Sequence, residues 1–143
     1  MNSVDNNSKD VIVLAENLSK VYGSGNSKVI ALDSVNLTIY KGEIVAILGP
    51  SGSGKTTLLN LLAGLDVPTN GRVLIDGVEI TKLSEEEKTR FRAKSMGFIF
   101  QFFNLVPVLT AVENVELPML LNKYPISEAR KRALELLEKM NIL

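Results

Sequence analysis

The sequence contains neither cysteine nor histidine. The first absence excludes disulfides and thiolate metal sites and is compatible with a cytosolic protein. The second excludes imidazole-based acid–base chemistry from this chain alone. Net charge is missing too: sixteen basic and sixteen acidic residues cancel. That removes any charge-based case for nucleic acid or an anionic membrane surface as a partner. Long apolar runs are also lacking. The stretches around Leu58–Leu65 and Leu117–Leu121 fall well short of the roughly 20 residues a membrane-spanning helix needs. The opening MNSVDNNSKD is polar throughout, so residues 1–10 read as a flexible N-terminal tail and not as a signal peptide. No internal repeat or low-complexity segment is present.

What remains is a chain of 143 residues, 45% hydrophobic, enough for one domain with a substantial core. Val11–Leu18 reads as a strand. In the stretch SVNLTIYKGE, Val35, Leu37 and Ile39 alternate with Asn36, Thr38 and Tyr40, the period of a half-buried strand. Ile44–Leu48 is apolar without alternation, which predicts a strand covered on both faces in a parallel sheet. GRVLIDGVEI reads as a hairpin turning at Asp76-Gly77. Ser84 with Glu87 is a capping box that predicts a charged helix over about Glu85–Ala93, most simply a solvated face. MGFIFQ predicts a further strand. Thr110 and Glu113 form a second capping box, for a helix running to about Leu117, where Pro118 disturbs it. A last helix from near Ser127 carries Ala133, Leu134, Leu137 and Met140 on one side.

Between the apolar run and the leucine-rich segment after it lies Gly49-Pro50-Ser51-Gly52-Ser53-Gly54-Lys55-Thr56, which fits G-x-x-x-x-G-K-[ST], the P-loop. The residue types follow from the task. Gly52 and Gly54 permit backbone conformations in which consecutive N–H groups curl around a phosphate. A helix beginning near Lys55 adds free N–H groups and the positive end of its dipole. Lys55 brings a mobile cation to the outer phosphates, and the Thr56 hydroxyl can ligate Mg²⁺. With Thr57, these residues form the expected nucleotide-binding set. The bland alternative is a glycine-rich turn with a chance lysine, but a buried strand before and an apolar helix after supply the context a P-loop requires.

The chain resembles the nucleotide-binding subunits of ABC transporters from about Val11 to Leu143. Beyond the P-loop, the resemblance rests on LSKVYG, on ALDSVNLTIYKGEIVAILGPSGSGKTTLLNLLAGL, on PTNGRVLIDGVEI and on GFIFQFFNLVPVLTAVENVELPM. The last stretch is most similar to the subgroup serving lipoprotein release and macrolide export. The resemblance implies an α/β P-loop NTPase fold with an N-terminal antiparallel β subdomain, a P-loop core and the start of a helical subdomain over residues 11–143. It implies ATP and Mg²⁺ as ligands. Tyr22 falls at the aromatic that stacks on adenine, a role that needs the ring and not the hydroxyl. Gln101 matches a glutamine that contacts Mg²⁺ or the attacking water, so Gln101 and Lys55 are the implied catalytic residues and Thr56 and Gln101 the implied metal contacts. The partners implied are a transmembrane permease subunit and a second ATP-binding subunit, in a homodimer held on the inner face of the cell membrane through the permease. The apolar connection Phe102, Phe103, Leu105, Val106, Pro107 and Val108 is either buried packing or in part a docking patch for that permease.

Three features of the family are not in this sequence: an L-S-G-G-Q-like signature loop, an acidic Walker B strand ending in a catalytic glutamate, and a switch histidine. The chain therefore reads as truncated before the signature loop and Walker B strand. In the implied fold, strands from beyond residue 143 lie between Ile44–Leu48 and Gly97–Phe100, so both segments are expected to have exposed edges and faces. Two functions stay open: the ATP-binding part of a subunit that couples ATP hydrolysis to export, or a non-hydrolysing nucleotide-binding fragment or assembly module. A small P-loop kinase fits poorly, since no acceptor site or lid is visible.

Overall fold

The computed structural model describes residues 10–142. The expected tail over residues 1–10 lies, apart from Asp10, outside the described residues. The chain forms two compact units, one ending at Arg92 and the other beginning at Ala93.

The first unit is built on an antiparallel sheet of four strands, β1 (Val11–Tyr22), β2 (Val29–Tyr40), β3 (Asn70–Ile75) and β4 (Val78–Glu79), in the order β2-β1-β3-β4. β1 and β2 are longer than the sequence suggested and pair from Val11 opposite Tyr40 to Tyr22 opposite Val29. Along β2 the expected alternation holds as far as Ile39: Val35, Leu37 and Ile39 are partly covered and Asn36 and Thr38 exposed, while Tyr40 is partly covered as well. The β3–β4 hairpin turns at Asp76 (φ 46°) and Gly77 (φ 78°), with Ile75 opposite Val78. Two consecutive positive φ values are what a two-residue type I′ turn demands, and Asp-Gly meets that demand cheaply. The helix α1 (Lys55–Leu62) contacts β1 and β2. The core of the unit contains Leu18, Leu61, Val73 and Ile80, all nearly inaccessible to solvent.

The helix α2 (Glu85–Ser95) opens with the expected capping box: Glu87 N–H donates to Ser84 Oγ, and the Ser84 N–H donates to Glu87 Oε2 at 2.8 Å. Its first residues are a solvated face, as expected, but its inner face is cationic. Lys88 is buried and paired with Glu85 at 2.8 Å, and Arg92 donates to the Gly64 carbonyl at 2.7 Å, satisfying an acceptor just past the end of α1.

The second unit is a helical hairpin of α3 (Ala111–Leu121) and α4 (Ile126–Lys139). The Thr110–Glu113 capping box is present in both directions. Pro118 lies inside α3 without ending it, and the helix continues one turn to Leu121. The buried stripe of α4 is Ala129, Ala133 and Leu137; Leu134 and Met140, expected on that side, are 40% and 70% exposed. Arg130 Nη2 donates to the buried Glu116 Oε1 at 2.8 Å. Arg130 Nε stands 2.7 Å from Glu116 Oε2, an ion-pair contact misaligned for a hydrogen bond.

Two expected strands do not form. Residues 43–50 and 96–100 carry no ladder pairing, and Ile44, Leu48 and Ile99 are almost fully exposed. A strand exists only where a neighbouring backbone completes its hydrogen bonds, and among the described residues none does so for these segments. Their exposure is the outcome expected of them; the strand geometry is not. Among the described residues, no helix is long and apolar enough to cross a membrane.

Candidate functional site

The glycine-rich turn is shaped by what a side chain would strike. Gly54 is the N-cap of α1 at φ 88°, and a Cβ there would lie 2.5 Å from the Ala31 carbonyl oxygen of β2. Only glycine allows the loop to press this closely on the sheet. Among the described residues no side chain caps the first N–H groups of α1, and no acidic residue lies in its first turn. The helix therefore presents unsatisfied donors and an uncompensated positive dipole end, the prerequisites for holding an anion.

Lys55 adds a formal charge. Its Nζ folds back over the turn and donates to the carbonyls of Gly49 at 2.8 Å and Pro50 at 2.6 Å, with Ser53 Oγ at 3.3 Å. The ammonium is thus held on the loop by oxygen acceptors that an anionic ligand can replace. Ser51 and Gly52 form the exposed crown of the turn, and the Ser53 N–H closes it onto the Pro50 carbonyl at 3.3 Å. A cavity of about 210 Å³ is lined on one side by residues 52–57, including Thr56 and Thr57, and on the other by Val29, Ile30 and Ala31. That is below the roughly 300–1,000 Å³ of pockets that enclose a drug-sized ligand, so the cavity does not by itself enclose one.

Tyr22 reaches the same neighbourhood through the sheet. It sits opposite Val29 in the β1–β2 ladder, and Val29 lines the cavity. Tyr22 is 41% exposed. The hydroxyl, idle in a purely stacking role, donates to Asp66 Oδ2 at 2.8 Å. Lys20, two residues back and on the same side of the strand, donates to Asp66 Oδ1 at 2.6 Å and lies 4.9 Å from the Tyr22 ring centroid. The hydrogen bond from Lys20 is the main cause that holds the Asp66 carboxyl below its ordinary pKa of 3.8; burial opposes it, and the Tyr22 hydroxyl and Val67 N–H assist. Sequence reasoning missed Lys20 and Asp66. The period-two spacing of Lys20 and Tyr22 was available as a signal for one of them, but nothing local points to Asp66, which is 44 residues from Tyr22.

Gln101 belongs to the second unit, in an exposed bend and not at a strand end. The apolar connection after it has Phe102, Phe103 and Val108 largely exposed. Its backbone is nonetheless held: the Asn114 amide of α3 accepts from the Val106 N–H at 2.8 Å and donates to the carbonyls of Val106, Leu109 and Thr110. A larger cavity of about 510 Å³ in this unit is lined by Lys94, Pro118, Tyr124 and Arg132 among others. Among the described residues, no group of three or more acidic side chains gathers to hold a metal.

The profile of the ABC transporter family matches residues 32–143. The chain belongs to the ABC transporter family. It is 52% identical over 131 residues to an uncharacterized ABC transporter ATP-binding protein of Methanocaldococcus jannaschii, covering 92% of this chain and 58% of that protein. It is 44% identical over 135 residues to the lipoprotein-releasing system ATP-binding protein LolD of Pseudomonas fluorescens, covering 94% and 60%. Among solved structures it is similar to the ABC cassette MJ0796 of M. jannaschii in a dimeric post-hydrolysis state bound to ADP and Pi, with a TM-score of 0.81 and 49% identity over 89% of this chain and 56% of that one. The α/β ABC ATPase fold is therefore that of this chain, which spans about three-fifths of the length of the relatives it matches.

Proposed function

We propose that this chain carries the ATP-holding part of an ABC transporter ATP-binding subunit, which couples ATP binding and hydrolysis to export by a transmembrane permease. The observation that carries the reading is the turn at Gly49–Thr57: a cradle that excludes a Cβ at Gly54, uncapped helix donors, and an ammonium parked on replaceable acceptors. The triphosphate binds there, with N–H groups of Gly52 and of Gly54–Thr57 and Lys55 Nζ as donors. Thr56 would offer its hydroxyl to a Mg²⁺ ion, which would supply charge neutralisation to the triphosphate; a site with few protein ligands suits an ion that keeps water and phosphate oxygens around it. The adenine stacks on Tyr22. Gln101 would serve the metal and the attacking water, the role its family position implies, and Phe102 to Val108 would form part of the surface that meets the permease. Residues 11–143 act as one partial ATP-binding domain. The working subunit is a homodimer on the cytoplasmic face of the membrane, held there by the permease.

The sequence contains no signature loop, Walker B carboxylate or histidine. Phosphoryl transfer depends on positioning and charge stabilisation, so a polypeptide of these 143 residues binds MgATP and releases it unchanged. Titration with a fluorescent ATP analogue tests the site. Lys55→Ala removes a charge-assisted contact and weakens binding by about ten- to a hundredfold; an unchanged affinity removes Lys55 from the phosphate site. A phosphate-release assay with Lys55→Ala as the contaminant control tests the second point. Lys55-dependent turnover of about one per second would show a complete catalytic site.

A further inference from the structure

The Tyr22 ring is held at two points. Asp66 takes its hydroxyl at 2.8 Å, and the Lys20 ammonium lies over the ring, 4.9 Å from its centroid, while also bonded to Asp66 at 2.6 Å and to the Val67 carbonyl at 2.7 Å. Asp66 stands in the connection between α1 and β3. That connection is fastened along β1 by the Val21 N–H to Thr69 Oγ1 at 3.0 Å and the Thr69 N–H to the Ser19 carbonyl at 2.8 Å. Its start is fixed to α1, since Leu65 and Asp66 both donate to the Asn60 carbonyl. The helix that begins at the phosphate cradle therefore ends in a loop that grips the proposed base platform.

We infer that Asp66 is a positioning residue which, with Lys20, fixes the Tyr22 ring for an adenine base and leaves only the face away from Lys20 for stacking. This rests on the reading of Tyr22 as the base platform. An exposed tyrosine near a strand end samples several rotamers, and each must be given up when a ligand stacks on it. A ring anchored at its hydroxyl and covered on one face has already lost that freedom, so more of the stacking energy appears as affinity. The Asp66 carboxylate is suited to the role because one oxygen serves the hydroxyl and the other the ammonium. A neutral partner meets only one of these demands well.

The test is calorimetric titration of the 143-residue chain with ATP and, separately, with inorganic tripolyphosphate. Tripolyphosphate occupies the cradle without a base, so it reports the fold and the P-loop but not the platform. Asp66→Ala is expected to weaken ATP by about three- to tenfold and to leave tripolyphosphate unchanged, with Asp66→Asn intermediate. In a Tyr22→Phe background, where the hydroxyl is already gone, the further loss of ATP affinity from Asp66→Ala should shrink. Three results overturn the inference: an unchanged ATP affinity in Asp66→Ala, equal losses for both ligands in Asp66→Asn as well as Asp66→Ala, or full additivity with Tyr22→Phe. Failure of the underlying reading looks different. Wild-type protein that binds ATP no tighter than tripolyphosphate removes Tyr22 as a platform, and wild-type protein that binds neither removes the nucleotide site.

Discussion

The strand Val29–Tyr40 and the segment Ile44–Leu48 are neighbours in the chain and both rich in apolar residues, yet only the first is a strand. β2 alternates, so one face is served by the core and the other by water, and one ladder with β1 supplies its backbone partners. Ile44–Leu48 is apolar on both faces, which makes every part of its stabilisation non-local: two layers to cover it and backbone partners on its edges. None of the described residues supplies them, and Ile44 and Leu48 stand exposed. Residues 98–100 repeat the case, with Phe98 and Phe100 left to stack on each other at 6.0 Å between centroids. Apolarity specifies that a segment will be buried, not that the burying surface is at hand.

The strongest way to sharpen that contrast is to damage the part that is complete. Leu18 of β1 has no solvent exposure. Leu18→Ala should destabilise the sheet unit by about 2–5 kcal/mol, the sum of lost transfer energy and the cavity left behind. The urea midpoint followed by circular dichroism, with hydrogen exchange of β1 and β2 peptides as a local check, measures it. A shift below about 0.5 kcal/mol, the range of ordinary surface substitutions, would mean that the sheet core is not packed as described.

A smaller effect is expected in the helical unit, whose order begins at a local device. Thr110→Ala removes one side of the capping box and should cost about 1 kcal/mol, seen as faster hydrogen exchange at the start of α3. The same box is sensitive to acid. The Thr110 backbone N–H, and next its hydroxyl, hold the Glu113 carboxyl below its ordinary value of 4.5. Ser84 does the same for Glu87 in α2, again chiefly through its backbone N–H. A folded value lower than the unfolded one stabilises fully above 4.5 and is lost as the pH falls through the lowered folded value. Protection at both helix starts should therefore hold from neutral pH to about 5 and decline below the ordinary carboxylate value. Glu113→Gln should abolish that acid dependence at α3 alone. Protection that is flat into acid in the wild type would show that the box carries no stability.

What was legible in the sequence divides along the same line. The Asp76-Gly77 turn, both capping boxes and the P-loop glycines are local devices, each readable because the residue that needs the conformation also provides it. The alternation of β2 was legible because one face and one period suffice to define it. The strand expected at Ile44–Leu48 rests on an unbroken apolar run, a pattern that does not contain the partner. Pro118 predicts a disturbance near Leu117, yet α3 runs on to Leu121 with the proline inside it. Asp66 was illegible: a carboxylate in a post-helix loop acquires meaning only once the chain has brought it to Tyr22 and Lys20.

The smallest expected change in stability tests the incomplete part directly. Ile44 and Ile99 are fully exposed, so replacing both with serine removes no buried contact. The urea midpoint of Ile44→Ser/Ile99→Ser should stay within about 0.5 kcal/mol of the wild type. Association should respond in the opposite way. Unpaired backbone beside exposed apolar side chains is a template for intermolecular pairing, and each serine lowers the apolar area that drives it. Light scattering of concentrated protein should fall in the double variant while Leu18→Ala raises it. A midpoint loss approaching that of Leu18→Ala would show that these segments do find a packing partner in solution, through a second copy or a rearranged chain. Concentration dependence separates those two, since only pairing between copies makes the midpoint rise with protein concentration.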